Sequence, residues 1–399
     1  MKNILIALAV LVLLLPVTAA QSQDNPTIAL LSYGSLPTFE VTEGAVLDIL
    51  ESYEFISADE RESLRSRQDL QGEKLNVIWG SANFDLPTAN LMVANVLDQE
   101  PDALVTLTTT LTQLAINATS DMEEPPVVLF ASVHNPYQAG LLQSACVKPS
   151  HVAGSLSTTP YTDVLQLLLT QYPDIETIGT IYSAAEGAGA AGAAEIRLNG
   201  ELMGLTVLTS AVTGLSDLGL AVDGLISRGA EAFVLPIDRV VGEAGTPIIV
   251  NMGNEYDIPV FHPLLFAIES GATVSIGFYN YYAQGENLGR LLAGHLTGQI
   301  DIAETAIIAQ ASSAIGVNLD EASRKGIEIA EAILEQAEAV VSDGETALSE
   351  RLDIGMRTGE KISLAERQEL DELFFRFLEN RKCTPERIAA EEADLAGRL

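Results

Sequence analysis

Short apolar runs of strand length recur along this chain, each closing on a polar loop and most leading into a helical stretch. A β-α-β-α rhythm of this kind admits few folds. It argues for parallel sheets covered by helices on both faces. The clearest instance is Val127-Val128-Leu129-Phe130-Ala131, which reads as a buried parallel strand. Ser132, His134 and Asn135 follow where that strand stops. Pro136 blocks continuation of the ladder and Gly140 permits a tight turn. In doubly wound domains ligands bind beyond the carboxyl ends of the strands, so a polar loop in this place is a candidate ligand wall.

The same reading extends in both directions. Strands are expected over 28–31, 75–79, 103–107 and 127–131, with helices over 42–52, 85–97 and 111–118. Around residue 150 the pattern restarts. Strands are expected over 151–155, 177–182, 206–208, 232–236, 258–261 and 271–277, and helices over 163–171, 188–203 and 215–228. Two successive units of similar size suggest two lobes, not one large sheet. A helix over 285–296, a late strand over 303–310 and segments 318–325 and 330–341 close the globular part. Ser342-Asp343-Gly344-Glu345 reads as a linker to a charged tail. There Ser363 and Glu366 form a capping box, and Leu370, Leu373, Phe374, Phe377 and Leu378 recur at helical spacing. Thr384-Pro385 opens a second helix. The tail is expected to be a helical hairpin whose apolar stripe packs on the protein's own surface or on a partner.

Composition narrows the function. A length of 399 residues suffices for two domains with cores of their own. The formal charge is −34 with only 21 Lys and Arg, which argues against a phosphate-binding face and against nucleic acid as a partner. Lys2, the unbroken apolar run Ile4 to Leu15 and the small residues Val17-Thr18-Ala19-Ala20 read as a secretory signal peptide cleaved near Ala20. No Cys follows the apolar run, so a lipid-anchored mature terminus is not indicated. Export permits a disulfide between Cys146 and Cys383, but nothing in their spacing requires one. His134, His151, His262 and His295 lie far apart and without zinc-type spacing, so no metal or other cofactor is expected. There is no GxSxG elbow and no P-loop. Gly187, Gly189 and Gly192 do fit GxGxxG, but the following strand ends in Thr209-Ser210 where a dinucleotide site needs an acid.

An ordered series of blocks then carries a resemblance. They are Thr88-Ala89-Asn90; Thr109 through Gln113 to Asn117-Ala118-Thr119; Phe130 through Asn135-Pro136 to Ala139-Gly140-Leu141; and Ile178-Gly179 with Tyr182. Next come Val234-Leu235-Pro236 with Asp238, Ile258-Pro259-Val260-Phe261, Tyr281-Tyr282 with Gly285, and Val317-Asn318-Leu319 with Gly326-Ile327. The chain resembles, over about residues 27 to 343, the ABC-transporter substrate-binding family whose best-known members are the tryptophan-binding TrpX-like proteins. The resemblance implies a type I periplasmic-binding-protein fold: two doubly wound Rossmann-like α/β lobes, a three-crossing hinge and a ligand in the cleft, with no chemistry performed. It would place 27–148 with 279–300 in lobe one and 150–277 in lobe two. Residues 301–343 would be a late strand and closing helices, and 345–399 the helical extension. The chain also departs from the family. His262-Pro263-Leu264-Leu265-Phe266 replaces acidic or hydroxyl residues, Ser183-Ala184-Ala185 replaces an Asn-Pro-type loop, and Asn135 and Asn280 stand where Asp is usual. The lost carboxylates count against an α-amino-acid ligand and favour a less charged or more apolar one.

Ten residues that follow six different strands are the candidate ligand contacts: Tyr33, Ser35, Thr109, Thr110, Asn135, Tyr182, Glu186, Asp238, Phe278 and Asn280. Each could equally be a loop residue with a satisfied hydrogen bond. Asp238 has two readings, a ligand-holding carboxylate or a helix N-cap. The expected function is capture of a small organic ligand, partly apolar and amino-acid-like, for a membrane ABC permease, by a periplasmic or extracellular monomer. A ligand-sensing module that feeds a membrane receptor is the alternative, and an exported hydrolase a third.

Overall fold

The structure is a computed structural model that describes residues 25–133, 135–137, 139–157, 159–310, 313–350, 352 and 364–398. The signal-peptide reading, His134 and Ser363 lie outside these residues. The strands are β1 (Thr27–Ser32), β2 (Leu70–Gln71), β3 (Asn76–Ser81), β4 (Ala103–Leu107), β5 (Val127–Val133), β6 (Val152–Ser157), β7 (Thr177–Ser183), β8 (Thr206–Val212), β9 (Ala232–Val234), β10 (Val260–His262), β11 (Val274–Phe278), β12 (Ile308–Gln310), β13 (Ser313–Asn318), β14 (Ala337–Ser342) and β15 (Glu345–Leu348). The helices that matter below are α1 (Pro37–Ser52), α2 (Ala58–Leu64), α3 (Leu86–Leu97), α4 (Thr109–Thr119), α5 (Tyr161–Gln171), α6 (Gly187–Leu202), α7 (Leu218–Ile226), α8 (Thr246–Gly253) and α9 (Tyr281–Leu296). Two further helices, Leu364–Glu379 and Pro385–Arg398, form the tail.

The strands build two sheets, one per lobe. The first runs β12-β6-β5-β4-β1-β3-β2 and the second β15-β14-β13-β11-β10-β9-β7-β8. Pairing is mostly parallel, and successive partners such as β4–β5 and β7–β8 are joined by helical crossovers too long for a hairpin. Central strands such as β4 and β5 are buried along their whole length, which is why they read as unbroken apolar runs and not as alternating ones. Sheet membership moves the first crossing beyond residue 150. β6 pairs with β5 in the first sheet, so the chain leaves lobe one only after Ser157. It returns between β11 and α9, and crosses again between β12 and β13. α9 lies along α1 in lobe one, and its glycines allow the close approach: a side chain at Gly285 would run into the Thr42 carbonyl, and one at Gly289 into Ile49.

Local chemistry accounts for many element ends. Ser57 and Glu60 make a reciprocal capping box at α2, and Asp85 caps α3 through the Thr88 N–H at 2.8 Å. The expected linker at Ser342–Glu345 is instead a hairpin turn. Ser342 pairs with Glu345, Asp343 and Gly344 both hold positive φ (53° and 78°), and β14 continues antiparallel into β15. An Asp-Gly pair suits that two-residue turn, since both central residues must be left-handed. The tail packs on lobe one. Phe374 and Leu378 enter the core around Leu47, Leu291 and Leu292, and Arg290 pairs with Asp371 at 2.7 Å. Cys146 and Cys383 form a disulfide, which settles the pairing that their spacing left open.

Candidate ligand-binding cleft

A cavity of about 390 Å³ opens between the lobes, walled by the loops that leave the carboxyl ends of their strands. Lobe one supplies Tyr33 and Leu36 after β1, Phe84 and Leu86 after β3, Thr108, Thr109 and Thr110 after β4, and Ser132 at the end of β5. Lobe two supplies Glu186, Gly187 and Ala188 after β7, Ile237, Asp238, Arg239 and Glu243 after β9, and Leu264 after β10. Tyr281, at the start of α9, completes the wall.

The lobe-one side is locally strained. Phe84, Thr108 and Ser132 are non-glycine residues at φ 61°, 93° and 55°. Conformations of this kind cost on the order of 1–3 kcal/mol each and are retained where the surroundings fix them. At Ser132 the cause is a bulge in the β5–β6 pairing between Phe130 and Val133. The side chain of Gln284, fully buried, holds the bulge by accepting the Ser132 N–H at 3.2 Å and donating to the Ser155 carbonyl at 3.2 Å. The Ser132 hydroxyl is buried and has no hydrogen-bond partner. Beside it, α4 begins with Thr108 as its cap and carries no acid in its first turn. The first N–H groups of a helix have no partner within it and carry partial positive charge, so this corner suits an anionic group.

On the lobe-two side the Asp238 carboxylate is nearly sealed, with Asp238 only 2% exposed. Its Oδ1 accepts the N–H groups of Val240 and Val241 at 2.8 and 2.9 Å, and its Oδ2 accepts that of Ser183 at 2.6 Å. It therefore caps the following turn and ties it to the end of β7, while also bordering the cavity. Two of the three glycines of the GxGxxG match, Gly189 and Gly192, have a packing role in the same place. A side chain at Gly189 would strike the Asp238 carboxylate, and one at Gly192 the Tyr161 hydroxyl. Arg239 reaches across the cleft. Its guanidinium carbon lies 5.0 Å from the Tyr33 ring centre and 4.6 Å from that of Phe84, while Glu186 meets both its N–H, at 2.9 Å, and its guanidinium, at 3.4 Å. Burial pushes the Glu243 carboxyl up, and Arg239 opposes that rise.

A second, smaller space of about 30 Å³ lies beside the main one and shares Thr109, Ala188 and Ile237 with it. Asn135, Thr159, Tyr161 and Glu195 also line it. Asn135 donates to Glu195 across the lobes at 3.3 Å.

Of the ten candidates, Tyr33, Thr109, Thr110, Glu186 and Asp238 line the main cavity and Asn135 the smaller one. Ser35 is exposed and bonds to Glu40 and Arg67. Tyr182 borders neither space. Phe278 stands behind the wall, edge-on to Tyr281 at 5.1 Å, and Asn280 caps α9 through the Ala283 N–H. Phe84, Ser132, Glu195, Arg239 and Glu243 also line the two spaces and are not among those ten. Ser132 was legible, since it ends the clearest strand. The others sit one turn or more beyond a strand end, where position along the sequence gives no direction to the side chain.

Residues 61–341 match the ABC transporter substrate binding protein family. The chain belongs to that family. A tyrosine-binding protein of Clostridioides difficile is 24% identical over 263 residues, which is 64% of this chain and 74% of that one. An ABC domain from Streptococcus pneumonia, solved in complex with L-Trp, superposes with a TM-score of 0.65 at 22% identity, covering 79% of this chain and all of the other. The ligand-free, open structure of a substrate-binding protein with adhesive properties from Clostridium difficile gives 0.60 at 21% identity, over 79% and 99% of the two chains. Both likenesses show the two-lobed α/β fold, the one implied by the blocks from Thr88 to Ile327. The extension past β15 lies beyond the matched family region.

Proposed function

We propose that this protein captures a small amino-acid-like ligand with a substantial apolar part in the inter-lobe cleft and presents it to an ABC permease. The observation that carries this reading is the composition of the cavity wall. One corner combines the open start of α4 with the unpartnered Ser132 hydroxyl, a place for a carboxylate. Beside Glu186, Asp238, Arg239 and Glu243, the rest of the wall carries Tyr33, Leu36, Phe39, Phe84, Leu86, Leu264 and Tyr281, a place for hydrocarbon or an aromatic ring. A volume of about 390 Å³ suits a single small organic molecule. The relatives named for tyrosine and L-Trp support the same ligand class. The cavity borders both lobes, so hinge closure would seal the ligand from water. The Cys146–Cys383 disulfide supports an oxidising, extracytoplasmic setting, as does the leader read over residues 1–20.

Mass spectrometry of small molecules released from purified protein tests this, together with a thermal-shift screen of amino acids, sugars and phosphates. The expected result is an amino acid or close analogue with a large apolar side chain. Stabilisation by sugars or phosphates alone would contradict the reading.

A further inference from the structure

The smaller space beside the main cavity has the chemistry of a subsite. Thr159 is 8% exposed, and its hydroxyl is buried without a hydrogen-bond partner. Glu195, on α6, brings in a carboxylate whose Oε2 takes the Asn135 amide at 3.3 Å. Tyr161, 4% exposed, also lines the space, and its hydroxyl accepts the Ile237 N–H at 3.0 Å. The volume, about 30 Å³, is that of one water molecule or one group of the same size.

Thr109 borders both spaces. A group in the small pocket therefore lies next to one held at the start of α4. In an α-amino acid the carboxylate and the ammonium leave the same carbon, so neighbouring anion and cation sites match that geometry. We propose that the Thr159–Tyr161–Glu195 pocket binds the primary ammonium of the ligand, with Glu195 as its counter-charge. This rests on the amino-acid-like reading above. It answers the loss of carboxylates at Asn135 and Asn280, because α6 of lobe two supplies another and Asn135 becomes the amide that orients it. An ammonium fits the pocket better than a neutral hydroxyl. Burial lifts the Glu195 carboxyl above its ordinary range, the Asn135 amide opposes that only in part, and a cation at the orphaned Thr159 oxygen would draw it back down.

The test compares two ligand pairs that differ only in the amino group, L-tryptophan with indole-3-propionate and L-tyrosine with 3-(4-hydroxyphenyl)propionate. Each is titrated calorimetrically into the wild-type protein, Glu195→Gln and Thr159→Val. The wild type should prefer the amino acid by about ten- to a hundredfold, the worth of a charge-assisted hydrogen bond. Glu195→Gln should remove most of that preference by weakening the amino acid and leaving the desamino acid unchanged. Thr159→Val should cut it by a smaller factor and keeps the test open if Glu195→Gln fails to fold. Equal affinity within a pair, or a preference untouched in both variants, overturns the ammonium site alone. No binding of either amino acid overturns the amino-acid reading and this site with it.

Discussion

Asp238 carries more of the structure than its place at a strand end suggests. Three backbone N–H groups end on its carboxylate, and α6 can approach only because Gly189 has no side chain. Asp238→Ala would remove a cap and leave the buried Ser183 and Val241 donors unpaired. We expect a stability loss of about 2–4 kcal/mol in urea unfolding, with a lowered melting point. An unchanged melting point would contradict this. His262 gives a pH-dependent case. Its Nδ1 accepts the Leu264 N–H at 3.0 Å, so the proton sits on Nε2, facing the Gly242 carbonyl at 2.8 Å. The ring is thereby fixed in its neutral form, and burial lowers its value from 6.5 to about 4. Between those values the unfolded chain binds a proton that the native ring refuses. The contribution is therefore present above pH 6.5 and lost as pH falls towards 4, on the order of 3 kcal/mol in all. Urea unfolding across that range should show a shallower slope in His262→Gln than in the wild type; equal slopes would remove His262 as a cause.

Among the elements, the tail shows how sequence pattern and tertiary context divide the work. The stripe from Leu370 to Leu378 was legible as a helix, but only part of it is buried: Phe374 and Leu378 enter the core, while Leu370 and Leu373 stay 43% and 51% exposed. Asp371→Ala should cost about 2–4 kcal/mol, because Arg290 is nearly buried and its other ion-pair partner among the described residues is the more distant Glu286. Cys383→Ser should cost about 2–4 kcal/mol by releasing the tie to Cys146. The tail helices border neither cleft space, so both variants should bind ligand as the wild type does. Loss of binding in a variant that still folds would place the tail in the site. The parallel strands were legible because burial on both faces makes them apolar throughout. β13 and β14 were not: Ser313, Gly316 and Asn318 break the apolar run of β13, half-buried and exposed positions dilute that of β14, and β13 runs antiparallel to β11, against the rhythm of the rest.

At the scale of the whole molecule, the doubly wound order brings the strand ends together at one cavity, and the sequence pointed to most of the loops that line it. What it could not give was direction. Ser35 and Thr109 both follow strands; one turns outward to Arg67 and the other faces the cleft. Nor could it show that Arg239 of lobe two rests on Tyr33 and Phe84 of lobe one, because only the fold brings those loops together. The central claim is that one ligand binds between the lobes. Ala188 lines both cleft spaces near the start of α6, and a large side chain there would fill the cleft without entering either core. Calorimetric titration of L-tryptophan and L-tyrosine into the wild type and Ala188→Trp tests the claim most directly. The account predicts binding of at least one of them at one site per chain in the wild type, and its loss in an Ala188→Trp protein that melts at the wild-type temperature. Equal binding by both proteins, or no binding of either amino acid, would contradict it.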